Sequence, residues 1–279
     1  MESAPVKEES PAVKSKPEYF VRFNLSQRIE HVVLMVSFTM LSVTGLAQRF
    51  YTAAWAQWVI TALGGIGYTR LVHRGFAVLF ILSILYHVGY VTYLLFVRHA
   101  KPTMLPTFKD FRDVVASLRY SFGFTDRKPE FGRFDYRQKF EYLGIMFGSV
   151  IIIVSGFFLT YPVLVTQLFP GQFVAAAKEF HGNEAMLAVL TIVIWHLYDV
   201  IFKPGIFPAD TSIFSGKISR ERMIEEHHLE YADLVGEEPN ETGEVGGVSG
   251  EVSGATSENP VSDSSGKALE KPSSNSSFG

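Results

Sequence analysis

The chain has 279 residues, of which 47% are apolar, 14% aromatic and only 19% charged, against about 25% charged in ordinary soluble chains. It has no cysteine, which excludes disulfides, thiolate-ligated zinc, cysteine-ligated iron–sulfur clusters, cysteine nucleophiles and covalent c-type haem attachment. The net charge is −3 and no nucleic-acid partner is expected; what informs is where the charges lie, and they mark a membrane protein.

Residues 1–18 read as a disordered N-terminal segment. The first 17 are polar, with three prolines and no apolar core, so no cleaved signal peptide is expected and the first span is a retained helix. A hydrocarbon core of roughly 30 Å takes about 20 residues to cross. His31 to Gln48 carries no formal charge and predicts a first helix over about 28–48. Phe50 to Thr69 is also uncharged but holds Thr52, Gln57, Thr61 and the run Gly64-Gly65-Ile66-Gly67. With Trp55 and Trp58 it reads as a helix lying in the interface. Gly75 to Val97 predicts a second spanning helix over about 73–97. Tyr142 to Tyr161, closed by Pro162, predicts a third over about 139–161. Phe180 to Phe202, with Glu184 and Asp199 near its ends, predicts a fourth over about 180–202.

The cations orient these spans. Loop 98–139 alone holds ten Lys or Arg, and four spans place it on one side with the N-terminal segment and the stretch 199–235. The other side then holds only Arg49, Arg70, Arg74 and Lys178. A fifth span would push the ten-cation loop outside. By the positive-inside rule both termini are cytoplasmic and the expected location is a bacterial inner membrane. The fold class is an all-α membrane protein, a four-helix bundle occupying residues 19–235. Residues 236–279, with eight acidic residues, ten serines and eight glycines, read as a disordered tail that cannot bury enough surface to fold.

Five of the eight histidines fall inside or at the edges of spans: His31, His73, His87, His181 and His196. Ionisable groups in membrane helices are costly and usually functional. His73 and His87 are fourteen residues apart, about 21 Å along a helix and about 40° apart in azimuth. His181 and His196 are fifteen apart, about 22 Å along and about 60° off. Each of these helices offers one histidine near the outer surface and one near the inner. That suits two metal centres stacked across the bilayer. Zinc would want a compact tetrahedral cluster, whereas imidazoles on opposing helices suit axial ligation of two b haems. Gly75, Gly89 and Gly182 are small neighbours of these histidines. By topology His73 and His181 form the outer pair; for the inner centre His196 has either His31 or His87 as partner, and spacing does not choose.

Arg22–Phe23, Arg28-Ile29, His31 and Gly45, then Leu71–His73, Gln138-Lys139, His181 and His196-Leu197-Tyr198 together resemble the cytochrome b (gamma) subunit of respiratory formate dehydrogenase. The cytochrome b subunits of nickel–iron hydrogenases and thiosulfate reductases are similar. The resemblance covers about residues 19–203. It implies His31–His196 at the inner haem and His73–His181 at the outer one. His87 departs from that pattern and is similar instead to the paired-histidine helix of quinol–cytochrome c oxidoreductases, which keeps it as an alternative inner ligand. The family further implies a menaquinone or ubiquinone site beside the inner haem, where Gln138 matches and Asp135 stands in place of asparagine. Arg28, Lys139 and Arg98 inside, and Arg70 and Arg74 outside, could pair with haem propionates. Gly144 and Gly148 form a GxxxG expected to serve helix packing.

The function so implied is that of an electron-transfer subunit in a quinone-linked oxidoreductase complex. It would join the quinone pool to periplasmic iron–sulfur or multihaem cytochrome c subunits through two haems, with the bilayer as its solvent. The alternative is a non-redox transporter or sensor using intramembrane histidines as a proton relay. Relays usually include buried carboxylates, and Glu30, Glu184 and Asp199 all lie near span ends.

Overall fold

The computed structural model describes residues 18–127 and 129–236. The first 17 residues and the acidic tail from residue 237 lie outside the described residues. Four helices are long and apolar enough to cross a membrane: α1 (Leu25–Arg49), α3 (Ile66–Phe96), α5 (Tyr136–Thr160) and α7 (Gln172–Phe202). At 1.5 Å per residue even the shorter ones, of 25 residues, are about 37 Å long and exceed the hydrocarbon thickness.

Their starts follow from capping chemistry. At α1 the Asn24 side chain accepts from the Gln27 backbone N–H at 2.9 Å, and the Asn24 N–H donates to the Gln27 side chain at 3.0 Å. Asp135 and Gln138 make the same reciprocal box at the head of α5. Each box satisfies two donors that the first turn would otherwise leave unpaired. The uncharged stretch after α1 holds only a nine-residue helix, α2 (Ala54–Ala62), about 14 Å long and too short to span. Its Trp58 is 73% exposed. Gly64 and Gly65, at φ of 89° and 103°, make the turn into α3, a backbone region that side chains disfavour.

The second and fourth spanning helices begin seven and eight residues before the sequence-based starts, at Ile66 and Gln172. Arg70, His73, Arg74 and Lys178 therefore lie within helices. The last part of α7 widens: Thr191–His196 and Tyr198–Phe202 are π-helical, with i→i+5 hydrogen bonds that turn the helix more slowly per residue.

The bundle packs as two antiparallel pairs, α1 with α3 and α5 with α7, joined through α1 and α7. Apart from Phe80, the buried positions of the spanning helices are small and many are polar, among them Ser37, Thr44, Ser83, Ser149 and Ser155. Ser149 and Ser155 each donate to the carbonyl four residues back at 2.6 Å. Large apolar side chains face outward instead, with Leu85 63%, Phe147 68% and Ile194 67% exposed. Such a surface is unstable in water and at home in lipid.

One end of the bundle carries a polar cap absent from the sequence-based reading. It holds two short strands, which qualify the all-α expectation: β1 (Tyr19–Val21) and β2 (Lys217–Ser219), antiparallel with Phe20 opposite Ile218. Three short helices complete it, α8 (Ser212–Ser215), α9 (Arg220–Glu226) and α10 (His228–Val235). The fully buried Tyr231 meets Phe20 edge-on at 5.7 Å. Arg22, 3% exposed, pairs with Glu230 at 2.7 Å, and Arg133 reaches the same carboxylate at 2.6 Å. The residues just before α1, those before α5 and the stretch after α7 thus meet at one end. Two further helices, α4 (Phe108–Ser121) and α6 (Pro162–Leu168), occupy connections.

Candidate functional site

The four spanning helices bring the intramembrane histidines together as two pairs. At the capped end His31 of α1 faces His196 of α7, with ring centroids 6.3 Å apart. Toward the other end His73 of α3 faces His181 of α7, also at 6.3 Å. An imidazole nitrogen lies about 1.1 Å from its ring centre and binds a metal at about 2 Å. Two imidazoles that shared one ion between them would therefore stand about 6 Å apart between ring centres. Both pairs have that spacing.

The other ring nitrogens are engaged in ways that set the tautomer. His181 Nδ1 lies 3.1 Å from the Ile152 carbonyl oxygen, which only accepts, so Nδ1 carries the proton. The Ser155 hydroxyl sits 3.1 Å from the same nitrogen while donating to Ile151. His73 Nδ1 lies 2.8 Å from Thr44 Oγ1. Thr44 donates its own proton to the Met40 carbonyl at 2.6 Å, so it accepts from His73. His196 Nδ1 lies 2.9 Å from Glu141 Oε1, although off the line of a good hydrogen bond. In His73 and His181 the bare Nε2 is left to bind a metal, the arrangement by which outer partners orient ligating histidines. His31 Nδ1 is buried without a hydrogen-bond partner among the described residues.

Two glycines let helices approach these rings. A Cβ at Gly45 would stand 3.2 Å from His73 Cε1, and one at Gly156 would stand 3.1 Å from His181 Cε1. The same device thus occurs twice: Thr44-Gly45 on α1 serves His73, and Ser155-Gly156 on α5 serves His181. Sequence reasoning missed Thr44, Ser155 and Gly156. A repeated hydroxyl–glycine dipeptide, 29 and 26 residues before its histidine, was the available signal. By contrast Gly75 and Gly89 have nothing within 4 Å of an added Cβ, so they are not the close neighbours expected. Gly182 lies against the Arg49 guanidinium, which donates to Asn183 at 3.0 Å. The GxxxG also divides: Gly148 makes room for the Glu184 carboxylate, while Gly144 meets nothing.

His87 takes other partners. Its Nδ1 is bonded to Glu30, and its Nε2 meets the Tyr142 hydroxyl at 2.9 Å. Asp135 and Gln138 cap α5, and the second Asp135 oxygen accepts from Arg137 at 2.8 Å. Arg137 also reaches Asp199 at 3.4 Å, which ties the head of α5 to the end of α7. Of the cations expected near propionates, Lys139 is bonded to Asp110 at 2.8 Å and Arg28 donates to the Phe214 carbonyl. Glu141 went unnoticed because it directly precedes the uncharged run. Like Glu30 in α1 it stands near the start of its helix, but Glu184 lies twelve residues into α7, which starts earlier than expected, so the spans do hold an interior carboxylate and a proton relay has to be judged on other grounds.

Those grounds come from relatives. The family model of prokaryotic cytochrome b561 matches residues 22–213. This chain belongs to that family. The cytochrome b556(Fdn) subunit of nitrate-inducible formate dehydrogenase from Escherichia coli K12 is 23% identical over 214 residues, covering 77% of this chain and 90% of the relative. The subunits of the same name from Escherichia coli O157:H7 and Shigella flexneri match equally. Membership makes this b561-type chain a haem b protein of the inner membrane that serves membrane-anchored electron transfer. The similarity to a formate dehydrogenase cytochrome b subunit lies in the direction of the residue resemblance.

Proposed function

We propose that this chain carries electrons across the inner membrane, between the quinone pool and a periplasmic redox partner, through two b haems. The observation that carries this reading is the pair of facing histidines at each of two levels, both with centroids 6.3 Å apart. His31 and His196 hold the haem at the capped end, and His73 and His181 hold the other. When bound, each haem supplies a one-electron couple whose potential its ligands tune. Levels some fifteen residues apart along α7 correspond to about 20 Å.

The residues around the rings have distinct tasks. Thr44 and the Ile152 carbonyl hold His73 and His181 in the ligating tautomer, with Ser155 alongside. Glu141 orients His196 and increases its electron donation. Gly45 and Gly156 keep α1 and α5 close enough to clamp the rings. The cation distribution supports an orientation with the capped end and both termini in the cytoplasm. A quinone, menaquinone or ubiquinone, belongs beside the His31–His196 level, where the head of α5 lies against the end of α7 through Arg137 and Asp199. Gln138 and Asp135 serve that site chiefly by setting where α5 begins. The partner is an iron–sulfur or multihaem cytochrome c subunit at the opposite face, in keeping with the named formate dehydrogenase complex of the relatives.

The deciding experiment is a pyridine haemochrome assay on purified protein with a reduced-minus-oxidised spectrum. About two b haems per chain are expected, since each bis-histidine iron takes two ligands. One haem would remove a level from the scheme, and none would overturn it.

A further inference from the structure

Helix α4 turns its polar side inward and its apolar side out. Phe108, Phe111, Val115, Leu118 and Phe122 recur at alternating steps of three and four, which places them within one narrow stripe of a helix. They are 93%, 71%, 43%, 51% and 72% exposed. About 120° to 140° from the middle of that stripe stand Asp110 and Ser117. Asp110 is only 9% exposed and accepts two hydrogen bonds from Lys139, at 2.8 and 3.0 Å; the Ser117 hydroxyl is buried as well. A helix dissolved in water would be turned the other way.

The surroundings say what covers the stripe. Lys139 lies in the first turn of α5, and α4 follows the end of α3 by eleven residues. Both neighbours are spanning helices, so α4 is fastened where they leave the hydrocarbon. The apolar phase already beside it is the bilayer. Arg112 and Arg119 border the stripe on one side, within about 60° of it, and Arg98 and Lys101 precede the helix; all four are exposed. An apolar stripe bordered by arginines matches an acyl boundary roofed with anionic headgroups.

We infer that α4 is an in-plane anchor, held to the bundle by Asp110–Lys139 and seated with its phenylalanine stripe in the cytoplasmic leaflet beneath anionic lipid headgroups. It binds lipid independently of the haems. Its aromatic stripe limits how α3 and α5 tilt relative to the membrane plane, and so helps to hold the head of α5 at a fixed depth.

The lack of cysteine makes the test clean. Full-length protein carrying single Phe111→Cys, Val115→Cys, Leu118→Cys or Tyr120→Cys substitutions is spin-labelled in nanodiscs of phosphatidylcholine with phosphatidylglycerol. Labels at 111, 115 and 118 should be relaxed by oxygen and protected from a water-soluble nickel chelate, with the reverse at 120. Nickel access at all four positions would overturn the proposal, because the stripe would then face water. Protection from both reagents would also overturn it, in favour of a protein partner. Discs of phosphatidylcholine alone, or Arg112→Gln with Arg119→Gln, should lift the labels toward water; unchanged depth would refute the role of headgroup charge. Spin-label depth does not depend on haem content, so this test can fail while the electron-transfer reading stands, and the reverse.

Discussion

His31 and His87 lie on neighbouring helices at the same end of the bundle, yet their rings meet different atoms. His31 faces His196, whereas both nitrogens of His87 are taken by Glu30 and Tyr142. Recruiting His87 Nε2 to a metal would leave the Tyr142 hydroxyl without its partner, a cost of about 1–3 kcal/mol for a buried polar group. His31→Ala should therefore abolish the haem at the capped end and quinol-dependent reduction. His87→Ala should retain both haems with at most a shifted potential, read by redox titration of the optical spectrum. The opposite pattern would make His87 the ligand. All five of these histidines were visible in the sequence as intramembrane ionisable groups at two levels. What each ring nitrogen touches was not, because Glu30, Tyr142 and Glu141 come from helices whose rotation about their own axes the spacing leaves free.

Rotation and approach are set between elements. Gly45 and Gly156 show how close: an added Cβ would stand 3.2 and 3.1 Å from the facing ring carbons, tighter than van der Waals contact allows without a shift. Gly45→Val should displace His73 and lower occupancy of the haem at the α2 end, leaving the His31–His196 haem intact. Gly75→Ala, where an added Cβ meets nothing within 4 Å, should leave both haems unchanged. Haem content per chain, resolved by low-temperature difference spectra, separates the two variants. Helix lengths were legible to within a few residues at α1 and α5, whose polar capping residues mark the starts. They were not at α3 and α7, where apolar turns continue past the hydrocarbon and carry Arg70, Arg74 and Lys178 at the boundary. The π-helical turns near His196 have no sequence signature either, since a hydrogen-bond shift from i+4 to i+5 is imposed by packing.

At the scale of the molecule the cap and the charge distribution act together. A reporter fused after Asp233 should be active only in the cytoplasm, and one inserted near Gly64 only in the periplasm; exchanged activities would reverse the orientation. The cap itself should respond to acid. His227 is 5% exposed and donates from Nδ1 to the Gly132 carbonyl at 2.9 Å. Burial pushes its imidazole below the ordinary value, and the Arg22 charge adds to this. The folded cap therefore prefers neutral His227. Its contribution is complete above about pH 6.5 and is lost as pH falls through the lowered folded value. Limited proteolysis of the cap should accelerate between pH 7 and 5, and His227→Gln should flatten that response. Asp210 behaves differently. Burial raises its carboxyl, but hydrogen bonds from Arg222 and Ser212 outweigh this and hold it at about 2, so its stabilisation persists until pH falls from about 4 toward 2.

Spans, their number and the side on which cations gather follow from the chain alone, because the cost of burying charge in hydrocarbon acts on each segment separately. The two levels of histidines follow in the same way, from rise per residue along a single helix. Pairing does not. Whether His196 meets His31 or His87, which hydroxyl holds His73, and that Asp135 and Gln138 cap a helix are all matters of how four helices rotate against one another. The cap shows the same division: β1 and β2 are three residues each and lie nearly two hundred residues apart. Short strands at that separation leave no local pattern to read. They exist because the four spans return both flanking segments to the same end, where Arg22, Arg133 and Glu230 can meet.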